Sequence, residues 1–170
     1  MILALDAMGG DHGPSEVCRG AIAACEEHSD LELVLVGNSP EIEPMLDGAS
    51  RDVSGRISIV HAEERIGMDE HPTVAIRKKR HSSLRIAMEM VRSGEASGCV
   101  SAGNTGAIVA GGVLVVGRIS GIDRPALGVA LPTLNKYTFL LDVGATVRSK
   151  PENLFQFAHM GNVYSKKILG

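Results

Sequence analysis

The sequence predicts an α/β fold: a largely parallel sheet with helices on both faces. Three observations predict it. Short apolar runs alternate with amphipathic stretches of helical period along the chain. Most apolar runs are closed by a loop rich in glycine and polar residues, and the chain holds 20 glycines. The composition, 44% hydrophobic and 22% charged over 170 residues, suffices for a sizeable aliphatic core, with aromatics at only 3% and no Trp.

The elements follow in order. Ile2 to Leu5 reads as a buried strand. Ser15 to Glu27 reads as a helix, because Val17, Cys18, Ala21, Ile22 and Cys25 share one face. Cys18 and Cys25 are therefore expected in the core as free thiols, which suits a reducing cytoplasm. Leu31 to Val36 is a second strand, and Ser39-Pro40-Glu41 carries the cap, proline and acid of a helix start. Ile57 to Val60 is a third strand. After a polar connection from His61 to His71, Pro72 opens a helix and Ser82 is expected to cap another. That helix buries Leu84, Met88 and Val91 and pairs Arg85 with Glu89 outside. Cys99-Val100-Ser101 is a short strand, followed by an apolar helix from Ala107 to Val116 that is expected to be buried throughout. Leu127 to Leu131 and Tyr137 to Leu141 are two more strands around a turn at Pro132-Thr133-Leu134-Asn135, and Pro151 opens the last helix. No linker or domain boundary is evident. Residues 164–170 lead into no strand where a doubly wound fold continues, so the chain is expected to be part of something longer.

Charge and cysteine usage narrow the function. The net charge of -3 hides a gradient: residues 1–70 hold 4 basic and 15 acidic side chains, whereas residues 71–92 hold 6 and 1. The positive patch, Arg77-Lys78-Lys79-Arg80-His81, suits an acidic partner, though a solvated helix end would look the same. Three scattered cysteines form neither a disulfide framework nor a metal site, and the six histidines lack metal spacing. No basic leader and no membrane-length apolar run is present. No nucleophile elbow is present, and aromatics are too few for a nucleic-acid stacking platform.

Three loops carry candidate chemistry. Asp6-Ala7-Met8-Gly9-Gly10-Asp11-His12-Gly13-Pro14 follows the first strand and packs two carboxylates, an imidazole and three glycines into nine residues. A plain strand-to-helix turn, with Pro14 at the first helical position and Asp11 solvated, uses the same residues. Ser101-Ala102-Gly103-Asn104-Thr105-Gly106 runs from a strand into a helix, where loop amides and hydroxyls suit an anion; an N-cap with packing glycines is the alternative. Asp142-Val143-Gly144-Ala145-Thr146 repeats the pattern. If their strands are parallel, all three loops reach one cleft. Arg118 and Arg124 flank Gly121-Ile122-Asp123, where either reaches an anion, or Asp123 and Arg124 stabilise a turn.

These segments resemble the bacterial phosphate acyltransferases of phospholipid synthesis (the PlsX family). Leu5 to His12, Met68-Asp69-Glu70-His71-Pro72 with Arg77-Lys78-Lys79, Val100 to Ala107, Arg118 to Ala126 and Leu140 to Ala145 match in family order. The resemblance implies transfer of a long-chain acyl group from acyl-[acyl carrier protein] to inorganic phosphate. The acyl phosphate product would feed a glycerol-3-phosphate acyltransferase at the membrane. It also implies a cytoplasmic or membrane-peripheral homodimer that needs no cofactor or metal. The implied fold is similar to isocitrate and isopropylmalate dehydrogenases and to phosphotransacetylases. The catalytic candidates are then Asp6, Asp11, His12 and Asn104. Phosphate or substrate would be held by Gly9, Gly10, Ser101, Gly103, Thr105, Gly106, Arg118, Asp142 and Gly144. Arg77, Lys78, Lys79 and Arg80 would dock the acidic carrier protein. Two departures stand out: Thr146 where the family usually has Asn, and Arg148 where it is often acidic. The chain corresponds to the N-terminal part, residues 1–170, with the family's C-terminal half absent. A coenzyme A phosphotransacetylase and a non-catalytic phosphate- or nucleotide-binding module are the competing readings.

Overall fold

The structure, a computed structural model, describes residues 1–134, 136–146 and 148–169. It divides into two compact units, Met1–Gly117 and Arg118–Gly170. The sequence reading anticipates no boundary, because the division falls at Gly117-Arg118 without a Pro- or Ser-rich linker to mark it.

The first unit holds β1 (Ile2–Asp6), α1 (Gly13–Glu27), β2 (Glu32–Gly37), α2 (Ser39–Leu46), α3 (Arg51–Ser54) and β3 (Ile57–His61). It continues through α4 (Pro72–Lys78), α5 (Ser83–Ser93), β4 (Gly98–Val100) and α6 (Thr105–Gly111), which runs on as a π-helical turn over Gly112–Val116. Four strands form one parallel sheet in the order β3-β2-β1-β4. Ala4 at its centre pairs with Val34 on one side and Cys99 on the other. This is the parallel sheet that the strand–helix alternation predicts.

The two-residue period of a strand sorts the side chains between two cores. Leu3, Leu5, Leu33, Leu35, Ile57 and Ile59 pack with Cys18, Ala21 and Cys25 of α1, Ile42 of α2 and Val53 of α3. Ile2, Ala4, Val34, Val36 and Val60 point the other way, against Ala87 and Met90 of α5. Both thiols of α1 are fully buried and free, as the helical spacing requires.

Local details correct three expectations. Ser82 does not cap α5 with its side chain; its hydroxyl donates to the Lys79 carbonyl at 2.8 Å. The cap of α2 is Asn38, one residue earlier than Ser39, and its amide donates to Glu41 Oε1 at 2.7 Å. The stretch from Ala107 to Val116 is not buried throughout. Ala107, Gly111 and Val115 are buried, but Leu114 and Val116 are exposed. Residues four apart share one face, and that stripe is the buried one, with Ile108 and Ala110 partly buried beside it. The expected Arg85–Glu89 pair forms at 2.8 Å.

The second unit contains β5 (Gly128–Pro132), β6 (Tyr137–Leu141), α7 (Pro151–Tyr164) and a π-helical turn at Ser165–Leu169. β5 and β6 form an antiparallel ribbon, with Ala130 opposite Phe139. They are thus not further strands of the parallel sheet. The cause is the short connection: a turn of a few residues can only return antiparallel, whereas a parallel partner needs a long crossover. Thr133 N–H closes that turn on the Lys136 carbonyl at 2.8 Å; Asn135, expected in it, lies outside the described residues. Phe139 of β6 stacks on Tyr164 of α7 with centroids 4.4 Å apart. Among the described residues no helix is long and apolar enough to cross a membrane.

Candidate functional site

Strand order fixes where a ligand site belongs in the first unit. β1 has β2 on one side and β4 on the other. The connection from β1 to β2 packs α1 on one face, and the connection from β3 to β4 packs α5 on the opposite face. The order therefore reverses between β1 and β4, and open α/β sheets bind ligands in the crevice at the carboxyl end of such a switch point. The loops after β1 and β4 are Asp6–Pro14 and Ser101–Gly106, the two that the sequence singles out first.

The structure brings these loops into direct contact. Asp6, the last residue of β1, is only 4% exposed. Its Oδ2 accepts the Ser101 hydroxyl at 2.7 Å, and its Oδ1 accepts the Ser83 hydroxyl at 2.5 Å. One carboxylate thus ties the β1 loop, the β4 loop and the first residue of α5 together. The Ser101 oxygen in turn accepts the Gly103 N–H at 3.0 Å. With its proton committed to Asp6, the Ser101 hydroxyl in this arrangement braces the loop rather than donating outward.

Glycine makes the approach possible. A methyl group on Gly9 would stand 2.6 Å from Asp6 Oδ2 and 3.0 Å from both Gly103 N and Ser101 Oγ. Gly10 has φ +93, a conformation that L side chains rarely adopt, and it lies against Ala102. Gly103 is packed less tightly, with Ser101 Oγ at 3.1 Å and Asp6 Oδ2 and Gly9 Cα at 3.4 Å from an added methyl group.

Asn104 is buried and fully engaged. Its Oδ1 accepts the Ala107 N–H at 3.0 Å and so caps α6. Its Nδ2 lies 3.3, 3.2 and 3.1 Å from the carbonyls of Gly67, Met68 and Glu70. Asn104 is therefore a brace between the β4 loop and the 67–70 segment. Glu70 belongs to the same framework: its carboxylate accepts the Gly67 N–H at 2.7 Å and the Lys79 ammonium at 2.6 Å. Those two contacts, the backbone bond first, hold its carboxyl below the usual range.

Asp11, His12, Thr105 and Gly106 are exposed at the loop surfaces, leaving the side chains of the first three to meet a ligand. Of the basic run, Arg77, Lys78 and Arg80 are exposed, but Lys79 is held by Glu70 and by the Arg65 carbonyl at 2.8 Å. For Cys99 in β4, burial first and the Asp6 carboxylate second push the thiol up to about 11, which favours its protonated form.

Arg118, Asp142 and Gly144 belong to the second unit. Arg118 donates to the Asp123 carbonyl at 2.6 Å, so this arginine, rather than Arg124 alone, braces the turn. Asp142 has φ +62 and accepts the Ala145 N–H at 3.0 Å; Gly144 has φ +119. The Asp142 carboxylate thus closes its own loop, three residues on. The Asp142 loop follows β6 of the antiparallel ribbon and is described within the second unit alone.

Two residues of the framework escape the sequence reading. Ser83 is adjacent to the expected cap Ser82, but nothing local shows that it meets a carboxylate 77 positions away. Glu70 sits in a segment quoted for its resemblance alone, and its Gly-x-x-Glu spacing from Gly67 is the local signal.

The first unit is therefore a doubly wound α/β module with a glycine-lined polar site at its switch point. The chain matches the family described as "Fatty acid synthesis protein" over residues 1–170, and it belongs to that family. It is 52% identical over 170 residues to a protein of Heliobacterium modesticaldum named Phosphate acyltransferase, covering 100% of the chain and 50% of that relative. Relatives of the same name from Geobacillus thermodenitrificans and Shewanella amazonensis are 50% and 47% identical. Those matches cover 100% and 99% of the chain and 51% and 49% of the relatives. The chain spans about half the length of the curated relatives it matches.

Proposed function

We propose that this chain forms the phosphate-holding part of an enzyme that transfers a long-chain acyl group from acyl-[acyl carrier protein] to inorganic phosphate. The observation that carries the reading is the Asp6–Ser101 bond, which joins two glycine loops at the sheet's switch point. Membership of the family and the name of the relatives support it.

The chemistry asks for three things. Phosphate must be held as nucleophile, its oxygen must reach the thioester carbonyl carbon, and the oxyanion that develops must be stabilised. Loop N–H groups around Gly10 and Ala102, with the Thr105 hydroxyl, suit a phosphate. Preorganised loop donors also serve an oxyanion at no reorganisation cost. A phosphate oxygen forms the new C–O bond, and the C–S bond breaks. The carrier thiol leaves as thiolate and takes a proton from solvent or from a nearby acid such as His12. Asp6 and Asn104 act as positioning residues, because both are buried and fully bonded. Exposed Arg77, Lys78 and Arg80 suit docking of the acidic carrier. A homodimer, a cytoplasmic or membrane-peripheral place and a downstream glycerol-3-phosphate acyltransferase belong to the same reading.

The test joins residues 1–170 to the C-terminal half of the Heliobacterium relative and traps acyl phosphate with hydroxylamine. Formation from palmitoyl-[acyl carrier protein] that requires phosphate is expected. No product with both substrates present, or product from acetyl-coenzyme A alone, refutes the assignment.

A further inference from the structure

The basic run reads as a single docking patch, yet one of its cations is committed elsewhere. Arg77, Lys78 and Arg80 are exposed. The Lys79 side chain is 32% exposed and lies against a Glu70 carboxylate that is 31% exposed. Its ammonium donates to Glu70 Oε1 at 2.6 Å and to the Arg65 carbonyl at 2.8 Å. Lys79 thus grips both ends of the 65–70 segment.

That segment is the wall against which the β4 loop rests. Ile66 anchors it in the core shared with Ile76 of α4, Leu84 of α5 and Ala107 of α6. Glu70 Oε1 also accepts the Gly67 N–H at 2.7 Å, and the Glu70 N–H reaches the Gly67 carbonyl at 3.3 Å. Folded back in this way, the segment aims the carbonyls of Gly67, Met68 and Glu70 at Asn104 Nδ2. Asn104 has two hydrogens to share among them, and its Oδ1 caps α6. Two residues beyond Glu70 the fit is as close: a methyl group on Gly106 would stand 2.5 Å from Pro72 Cγ. Charge points the same way. Without its cation, Glu70 would leave a full negative charge behind the carbonyls that hold Asn104, beside a loop suited to an anion.

We propose that Lys79 and Glu70 are positioning residues for phosphate binding: their ion pair fixes the 67–70 carbonyls that orient Asn104 and, through it, the Ser101–Gly106 loop. Both act through Asn104 and not on phosphate directly. Lys79 is thereby separated in role from Arg77, Lys78 and Arg80, which remain free to dock a carrier. This inference rests on the phosphate-holding reading of the β1 and β4 loops.

The test titrates the chain and its variants with inorganic phosphate and follows amide NMR shifts at residues 101–106. Lys79→Met and Glu70→Gln are each expected to weaken binding by about 2- to 30-fold, the span over which residues act on a site they do not touch. The double variant is expected to lose no more than the weaker-binding single variant, since both changes break one pair. Lys79→Arg keeps the cation and is expected to recover most of the affinity. Thermal melts of the same variants separate positioning from bulk stability. A lowered melting temperature with unchanged phosphate affinity overturns the proposal, because the pair is then structural only. In the chain joined to the C-terminal half of the Heliobacterium relative, Lys79→Met is expected to weaken carrier-protein binding less than Lys78→Met does. An equal loss there, with phosphate affinity unchanged, returns Lys79 to docking and also overturns it. Wild type that binds phosphate no better than its variants refutes the pair's role alone. Wild type without any phosphate shifts at the loop refutes the phosphate-holding reading, and the pair's role with it.

Discussion

Replacing Asp6 by Ala removes the acceptor of two hydroxyls, Ser83 at 2.5 Å and Ser101 at 2.7 Å. Hydrogen bonds to a charged group contribute about 1.5–3 kcal/mol each. Against this stands relief of the cost of burying the carboxylate itself, several kcal/mol for an ion in a dry site before compensation. The net expectation is a loss of about 2–4 kcal/mol, somewhat below the roughly 3–5 kcal/mol lost when a buried charge is left without its partner, because here the charge itself is removed. Asp6→Asn retains the shape and one acceptor, so it is expected to cost about half as much. Urea unfolding of the 170-residue chain measures both, with the slope checked for constancy. In a double-mutant cycle, Asp6→Ala and Ser101→Ala are expected to couple by about 1–2 kcal/mol, since both remove the same bond. A loss below about 0.5 kcal/mol for Asp6→Ala, typical of an uninvolved surface position, would refute the idea that this carboxylate joins the loops.

Other outcomes follow from the same geometry. Gly9→Ala drives a methyl into Asp6 and the Gly103 backbone and is expected to destabilise by about 1–3 kcal/mol. Gly20→Ala in α1, which meets nothing within 4 Å, is expected to stabilise by about 0.5–1 kcal/mol; thermal melts distinguish the two. Glu70 is lowered in the folded state, so its contribution is present above the ordinary carboxylate pKa and lost as pH falls through the lowered value. The stability difference between wild type and Glu70→Gln is therefore expected at pH 7 and should vanish in strong acid, as read by unfolding at each pH. With its thiol raised to about 11, Cys99 is expected to react with iodoacetamide at pH 8 far more slowly than a free thiol, as peptide mass mapping can measure. In the joined chain, Arg77→Glu with Lys78→Glu should weaken carrier-protein binding and flatten its salt dependence, measured by titration at several ionic strengths.

Most of the first unit is legible in the sequence because its signals are local. Cys18, Ala21 and Cys25 announce the buried face of α1, and the unbroken apolar run Leu33-Val34-Leu35-Val36 in β2 announces a strand covered on both sides. The loops after β1 and β4 stand out by glycine and polar content. Their meeting is not legible, since it depends on the β3-β2-β1-β4 order and on a bond between residues 95 positions apart. Roles within the site shift for the same reason. Asn104 and Ser101 read as donors toward a ligand, but their hydrogens go to loop carbonyls and to Asp6. The antiparallel ribbon was within reach of the sequence, because a connection that short admits no crossover. The Gly117-Arg118 division was not, since compactness is a property of the packed units.

The central claim is that the β1 and β4 loops together hold phosphate, and amide NMR shifts during a phosphate titration of the chain test it most directly. Saturable shifts at Gly9, Gly10 and residues 101–106, abolished by Asp6→Ala, are the predicted result. Shifts confined to Arg77 to Arg80, or no shifts at either loop, would contradict it.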